Sequence, residues 1–393
     1  MNDILHIITG ATGFLGRNLV ERLLDNGERL CIVVRSNEHD FQERAEIVFP
    51  GYASKYGNRF SVVNGDITKE NLGISSKFLN EIKNTRINFW HLAANLSFKY
   101  VHKEQIYRDN VRGVENVVNL INTLGSDVHL YYTSTAYICG SKNKQCSENE
   151  IDRGQNSRNL YEKTKIAAER IISEKCNKHH IIFRPSIIIG DAYEGKAVGC
   201  TFGYYRFSFV FFAFKGWVIK NLNKKRGFWK TILLLLGARY DKKDDILGFS
   251  FLLLPYPNGS TVNLIPLDFV VDSMVDISNK CQENKTFHVV DPNPPSFIFL
   301  FENLLDNLSL TGIKFFPVPP AVFNFIIKVC YMIIIPLRKY FESAIKYQPY
   351  ITVNYDFITD NMKEYGLIPA EISKIYIGRV NRYAIENIFK GIK

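Results

Sequence analysis

No two of the seven cysteines (Cys31, Cys139, Cys146, Cys176, Cys200, Cys281, Cys330) stand as Cys-x-x-Cys. Their odd number argues against a complete disulfide framework and points to a reducing compartment, expected to be the cytoplasm. Histidine is equally thin: His179-His180 is the one adjacent pair, no ligand spacing surrounds it, and no metal site is expected. Met1 to Gly10 has no basic stretch followed by a long apolar one, so it does not read as a signal peptide. No apolar run reaches the ~20 residues of a spanning helix. Phe207 to Ile219 is interrupted by Lys215, and Ala321 to Leu337 by Lys328. Both read as buried or pocket-lining helices, with shallow, peripheral membrane contact as the alternative. There is no low-complexity linker and no fixed-period repeat. The formal charge of +10 comes without any helix-turn-helix, finger or RNA-binding signature, so nucleic acid is not an expected partner. Part of that charge gathers in Lys215, Lys220, Lys224, Lys225, Arg226 and Lys230, either a solvated face or a surface for anionic partners.

What is present is globular composition, 46% hydrophobic and 22% charged over 393 residues, enough for two domains. Residues 4 to 9 form a short apolar run without helical period. Gly10-Ala-Thr-Gly13-Phe-Leu-Gly16 follows, and then apolar positions at helical spacing (Leu15, Leu19, Val20, Leu23, Leu24) up to Asn26-Gly27, which reads as a C-cap. Strand, glycine turn and helix in that order make a dinucleotide site. Glycine lets the backbone turn tightly, approach a pyrophosphate and pack helix on strand, while the helix N-terminus presents N–H donors to the anion. The next apolar run, Leu30 to Val34, ends in Arg35 where a NAD site would carry an acidic residue, which favours a 2′-phosphate and hence NADPH. Phe60 to Val63 leads to Asn64-Gly65-Asp66-Ile67, where Asp66 is placed to accept from the adenine amino group. Asn88 to His91 leads to Ala93 and Ala94, small enough for a loop to lie against the cofactor.

Val128 to Tyr132 reads as a further strand ending in Thr133-Ser134-Thr135. Tyr161 and Lys165 then stand at i and i+4 of a helical stretch, on one face. A phenol near pKa 10 exchanges protons poorly at neutral pH until a neighbouring ammonium stabilises its phenolate. Lys165 supplies that charge and reaches toward the nicotinamide ribose, and Thr135 holds the substrate oxygen. The strand around His180 to Phe183 leads to Arg184-Pro185-Ser186, with Pro185 bordering the nicotinamide.

Together these motifs resemble the extended short-chain dehydrogenase/reductase superfamily over residues 4 to 191. More narrowly, TGATGFLGRNLVERLL, GDITKENLGIS (65 to 75), HLAANLSF (91 to 98), NVRGVENVV (110 to 118), STAYICG (134 to 140) and RPSIIIGD (184 to 191) resemble the thioester reductase and fatty acyl-CoA reductase branch, the male sterility type. The likeness continues through Phe202-Gly203-Tyr204-Tyr205 and IPLDFVVDSMVDIS (265 to 278), and thins after Pro295. The resemblance implies Thr135, Tyr161 and Lys165 as catalytic residues. It implies a cofactor surface made of Gly10, Thr12, Gly13, Phe14, Leu15, Gly16, Arg35, Asp66, Ile67, Ala93, Ala94, Asn110, Thr133, Tyr161, Lys165, Pro185 and Ser186, and it places Asp268 where the pocket closes over the cofactor. It further implies reduction of an acyl thioester, from CoA or an acyl carrier protein, to aldehyde or alcohol.

The expected architecture is α/β: a Rossmann-type doubly wound parallel sheet over residues 1–190, completed by strands from about 261–291. A smaller, mostly helical substrate region is expected over 191–393. Homodimerisation through helices stays open. Two other readings remain, a dehydrogenase of the same scaffold acting on a secondary alcohol or ketone such as a sugar nucleotide or steroid, and a non-catalytic NADP-binding protein.

Overall fold

The computed structural model describes residues 4–36, 40–97, 100–125, 127–141, 145–152, 154–333 and 338–392. Phe98 and residues 334–337, the end of the second apolar stretch, lie outside them. The strands, in chain order, are β1 (Ile4–Thr9), β2 (Arg29–Val34), β3 (Phe60–Asn64), β4 (Arg86–His91), β5 (Val128–Thr133), β6 (Gln145–Cys146), β7 (His179–Pro185), β8 (Ile187–Ile189), β9 (Arg239–Asp241), β10 (Ile246–Pro257), β11 (Leu264–Pro266), β12 (Lys285–Val289), β13 (Leu310–Val318) and β14 (Asp356–Phe357). The chain divides into two compact units. The first contains 1–186, 267–292 and 356–369, and the second 187–266, 293–355 and 370–393.

The first unit is built on a seven-stranded sheet in the order β12-β7-β5-β4-β1-β2-β3, every neighbouring pair parallel. Such a sheet is covered on both faces, so β1, β2 and β4 are buried almost end to end rather than on alternate residues. One face packs on the Gly113–Thr123 and Leu160–Lys175 helices through Val114, Val117, Val118, Ile121, Ala168 and Ile172. On the opposite face of the central strands, Trp90 stacks on Tyr131 at 4.3 Å, and both polar tips are satisfied: the indole N–H donates to His6 and the phenol to the Ser278 carbonyl. The order reverses between β1 and β4, and in open α/β sheets that crevice at the strands' carboxyl ends is where ligands bind.

β12 is the TFHVV segment, at the sheet edge beside β7. The 261–266 segment, also expected in this sheet, instead forms β11 and pairs with β8 in a separate two-stranded sheet of the second unit. An apolar run of three residues carries no mark of its partner. Residues 356–369, expected in the substrate region, belong to the first unit, where β14 pairs with β6 and Asn361 N–H donates to Glu148.

The second unit is helical, with helices Tyr204–Leu222, Phe228–Leu235, Phe297–Asn307, Pro320–Ile333, Arg338–Ile351 and Lys374–Tyr383. It also holds a three-stranded sheet, β13-β10-β9. Its core is aromatic: Phe211 meets Phe301 edge-on at 4.4 Å and Phe297 stacks on Phe301 at 4.8 Å. Among the described residues no helix is long and apolar enough to cross a membrane.

Within the first unit Arg184 is fully buried and bound to Glu169 through both its Nε and Nη2, the closest approach being 2.6 Å. Removing one partner of a buried ion pair leaves an uncompensated charge and costs about 3–5 kcal/mol. The half-exposed Arg22–Asp272 pair, at 2.8 Å, belongs to the class worth less than about 1 kcal/mol. Urea unfolding of Arg184→Ala is therefore expected to show a loss several times that of Arg22→Ala. Equal losses would mean that the buried pair does not hold the unit together.

Candidate active site

The turn after β1 is shaped by steric necessity. Gly10 has φ +76°, and a Cβ there would lie 2.5 Å from the Ala93 backbone nitrogen. The loop after β4 therefore lies directly on the turn, as the small residues at 93 and 94 suggested. A Cβ on Gly16 would lie 2.2 Å from the Gly10 carbonyl oxygen, so the Phe14–Asp25 helix can approach the strand only without one. Gly13 is the helix N-cap and meets only the Gly10 oxygen, at 3.2 Å. That helix has no capping side chain and no acidic residue in its first turn, which leaves the positive end of its dipole uncompensated. Phe14 is buried, and Thr12 on the turn and Leu15 are half-buried.

The Leu160–Lys175 helix begins with a reciprocal cap. Asn159 accepts from the Glu162 N–H at 3.0 Å and Glu162 accepts from the Arg158 N–H at 2.9 Å. The cap sets Tyr161 in the first turn and Lys165 one turn later on the same face. Lys165 is buried, and its Nζ donates to the Thr133 carbonyl at 2.7 Å and to the Tyr132 hydroxyl at 3.1 Å, so one of its three donors is left over. It stands 5.9 Å from the centre of the Tyr161 ring. Burial lowers the Lys165 pKa to about 7, against the opposing pull of Glu169. Burial, then the nearby Glu162 carboxylate, raises that of Tyr161. Thr135 follows β5 and is buried, and its Oγ accepts from the Tyr137 N–H at 3.3 Å, which leaves its own proton to donate elsewhere.

Of the other expected cofactor residues, Thr133 ends β5 and Pro185 ends β7. The hydroxyls of Thr133, Ser134 and Ser186 are buried without a protein partner, an arrangement that a bound polar ligand would satisfy. The glycine cradle, the uncapped helix and these hydroxyls all fit a nicotinamide dinucleotide. Arg35 is exposed immediately after β2, and Arg44 donates to its carbonyl. Asp66 uses one carboxylate oxygen to hold the turn after β3, accepting from the N–H and hydroxyl of Thr68, each at 2.9 Å. Ile67 fills the space left by Gly113, where a Cβ would come within 2.9 Å. The amide of Asn110 is turned onto protein: it accepts from Asn95 N–H at 2.7 Å and donates to the Asn95 carbonyl and the Thr164 hydroxyl, both at 3.0 Å. It thus ties the loop after β4 to the Tyr161 helix. Asp268 lies in the first turn of the Leu267–Lys280 helix.

Two residues of the site were not anticipated. Tyr132 supports the Lys165 ammonium, and His91 stacks on Tyr132 while hydrogen-bonding Thr9 at 2.7 Å. Burial, reinforced by the Lys165 charge, lowers the His91 pKa to about 3, so the ring is neutral. His91 ends β4 and Tyr132 is the last residue but one of β5, just before the expected small or hydroxyl residues, and that position was their only signal in the sequence.

Folded Lys165 gives up its proton near pH 7, whereas the unfolded chain keeps it to about 10.5. Between those values the unfolded state binds more protons, so stability rises with pH; the penalty is complete below pH 7. Lys165→Met removes it. The variant's stability relative to wild type is expected to be most favourable below pH 7 and to decline toward pH 10 by on the order of 4 kcal/mol, as read by urea unfolding. A difference independent of pH would contradict the burial of this lysine.

Comparison with known proteins places this geometry. The family model described as male sterility protein, an NAD-binding family, matches residues 8–274. The nonribosomal peptide synthetase asaC of Aspergillus flavus is 28% identical over 310 residues, covering 73% of this chain and 26% of the synthetase. A putative fatty acyl-CoA reductase of Drosophila melanogaster, CG8303, is 30% identical over 158 residues, covering 38% of this chain and 28% of that protein. The chain thus spans about a quarter of the length of these relatives. Among solved structures, the terminal R domain of the myxalamid PKS-NRPS pathway superposes with a TM-score of 0.72 at 18% identity, over 99% of this chain and 92% of that one, and so shares its fold. Matched by the family model over most of its length, the chain belongs to the male sterility protein family.

Proposed function

We propose that this protein reduces an acyl thioester with NADPH, releasing the thiol and giving an aldehyde or, by a second turn, an alcohol. The observation that carries the reading is the buried Lys165, bonded to the Thr133 carbonyl two residues before Thr135 and 5.9 Å from the centre of the Tyr161 ring, in a chain of this family. The relatives named for peptide synthesis and fatty acyl-CoA reduction both favour a thioester over a sugar or steroid.

In this reading Gly10, Gly13 and Gly16 with the helix start hold the pyrophosphate, Arg35 meets the 2′-phosphate, and Thr133, Ser186 and Lys165 bind toward the nicotinamide end. The bound cofactor supplies a hydride. Thr135, its oxygen already engaged by the Tyr137 N–H, donates its proton to the thioester oxygen, and the Tyr161 hydroxyl donates beside it. Two donors aimed at a developing oxyanion lower the barrier because they need no reorganisation. The Lys165 ammonium, fixed by Thr133 and Tyr132, eases transfer of the Tyr161 proton to the departing thiolate as the oxyanion collapses, and the phenol is then re-protonated from solvent. The second unit holds an apolar pocket, partly open to solvent and lined by Phe207, Phe297, Leu300, Phe301, Leu304 and Ile351 among others. CoA or a separate carrier protein would deliver the thioester.

NADPH oxidation over acyl-CoAs of increasing length, with ketones and sugar nucleotides alongside, tests this directly. A thioester is expected to support turnover. Tyr161→Phe is expected to lose about 10²–10⁴-fold in kcat, and Thr135→Val about 10²-fold. Turnover of ketones or sugar nucleotides alone would keep the oxidoreductase and remove the thioester.

A further inference from the structure

Two short helices of the second unit carry apolar side chains where a helix in water should not. In Phe228–Leu235 (FWKTILLL), Leu233 is buried, whereas Phe228 is 72% and Leu235 78% exposed and Leu234 is exposed as well. In Pro320–Ile333 (PAVFNFIIKVCYMI), Phe323 is buried, whereas Val322, Phe325, Met332 and Ile333 are exposed. A helix apolar on all sides belongs in a core or in lipid. The second of these is 14 residues, about 21 Å at 1.5 Å per residue, so it can lie along a bilayer but not cross it.

The neighbouring sheet adds to this exposed apolar surface: just after the first helix the Leu236 carbonyl accepts from the Ser250 and Phe251 N–H groups of β10. β10 and β13 run in parallel with Leu252 opposite Ile313, Leu253 opposite Lys314 and Leu254 opposite Phe315. Side chains alternate along a strand. Leu252, Ile313 and Phe315 pack on the core formed with Leu233, Leu304 and Leu305. Phe251 and Leu253 of β10, with Lys314 and Phe316 of β13, point the other way and are exposed. The Phe228–Leu235 helix joins that same core through Leu233, and the Pro320–Ile333 helix packs against β10.

Charge decides what covers this face. No Asp or Glu occurs between Glu194 and Asp241, nor between Asp306 and Glu342, and residues 246 to 267 carry no charge at all. Lys220, Lys224, Lys225 and Arg226 lie exposed just before the first helix, and Lys314 and Lys328 are exposed on the sheet and the second helix. The nearest carboxylates in sequence are at the β9–β10 turn, where Asp245 is already bound to Lys215 and Tyr240. A second copy laid on this face by two-fold symmetry would set lysine against lysine. An anionic bilayer accepts both features at once, inserted Phe and Leu below and Lys and Arg at the phosphates.

We propose that this face of the second unit, formed by the Phe228–Leu235 and Pro320–Ile333 helices and the outer side of β10 and β13, docks on an anionic phospholipid surface. It uses no residue of the candidate active site, so it stands whether or not the reductase reading does. The consequence for an acyl-chain enzyme is direct: apolar substrates and products partition into that same phase.

The test is flotation of the purified full chain with phosphatidylcholine vesicles, with and without phosphatidylserine. Binding is expected to phosphatidylserine vesicles, at least about tenfold tighter than to neutral ones and falling as salt is raised, since each basic residue at the surface contributes about fivefold. Phe228→Glu with Leu235→Glu, and separately Lys224→Glu with Lys225→Glu and Arg226→Glu, alter exposed side chains, and each set is expected to weaken binding at least about tenfold with unchanged melting. The salt series on wild-type protein tests the same docking without any variant. Failure to float, equal binding to neutral vesicles, or binding indifferent to salt and to both variants would overturn the proposal. So would a dimer that Phe228→Glu dissociates while vesicles stay bare, which would assign the face to a second copy.

Discussion

Arg184 organises the first unit. It sits on β7 without contact with solvent and spends its donors on Glu169, on the carbonyls of Ser147, Glu148 and Glu150, and on His288 of β12. One guanidinium therefore fastens a strand, its edge neighbour, a loop and the helix that carries Tyr161 and Lys165. The pair is stable in the interior only because the donor set is so fully matched. Glu169 lies one helical turn beyond Lys165, so the same pair that locks the helix also supports the lysine's charge against burial.

Lys165 is where stability and chemistry pull apart. An ammonium taken out of water costs free energy, and two acceptors, Thr133 carbonyl and Tyr132 hydroxyl, offset part of it. Around it, hydroxyls of Thr133, Ser134 and Ser186 stay unmatched by protein, and the glycine turn leaves a helix start without an acid to cap it. These are costs a core would not normally carry: the hydroxyls lie at the carboxyl ends of β5 and β7, and the glycine turn at that of β1, beside which the sheet order reverses.

Much of this was legible in the sequence because it is local. The glycine turn, the strand runs and the i, i+4 pair of Tyr161 and Lys165 each lie within one or two elements, and the structure shows them as such. What was missed is long-range. Tyr132 and Lys165 are 33 residues apart, and Glu169 and Arg184 meet through tertiary pairing that no spacing rule announces. Asn110, expected at the cofactor, also joins Asn95 to Thr164, a pairing across more than fifty residues. The apolar run at 264–266 was assigned to the wrong sheet because short buried strands look alike, and the return of 356–369 to the first unit had no local signal at all.

The thioester reading is tested most directly by following the transferred atom: NADPH deuterated at the nicotinamide C4, one acyl-CoA and purified protein, with product and free thiol analysed together. The account expects deuterium on the former carbonyl carbon, with thiol released once per acyl group reduced and far more slowly with Tyr161→Phe. Oxidation of the cofactor with no thiol released, or with deuterium on another carbon, would contradict it.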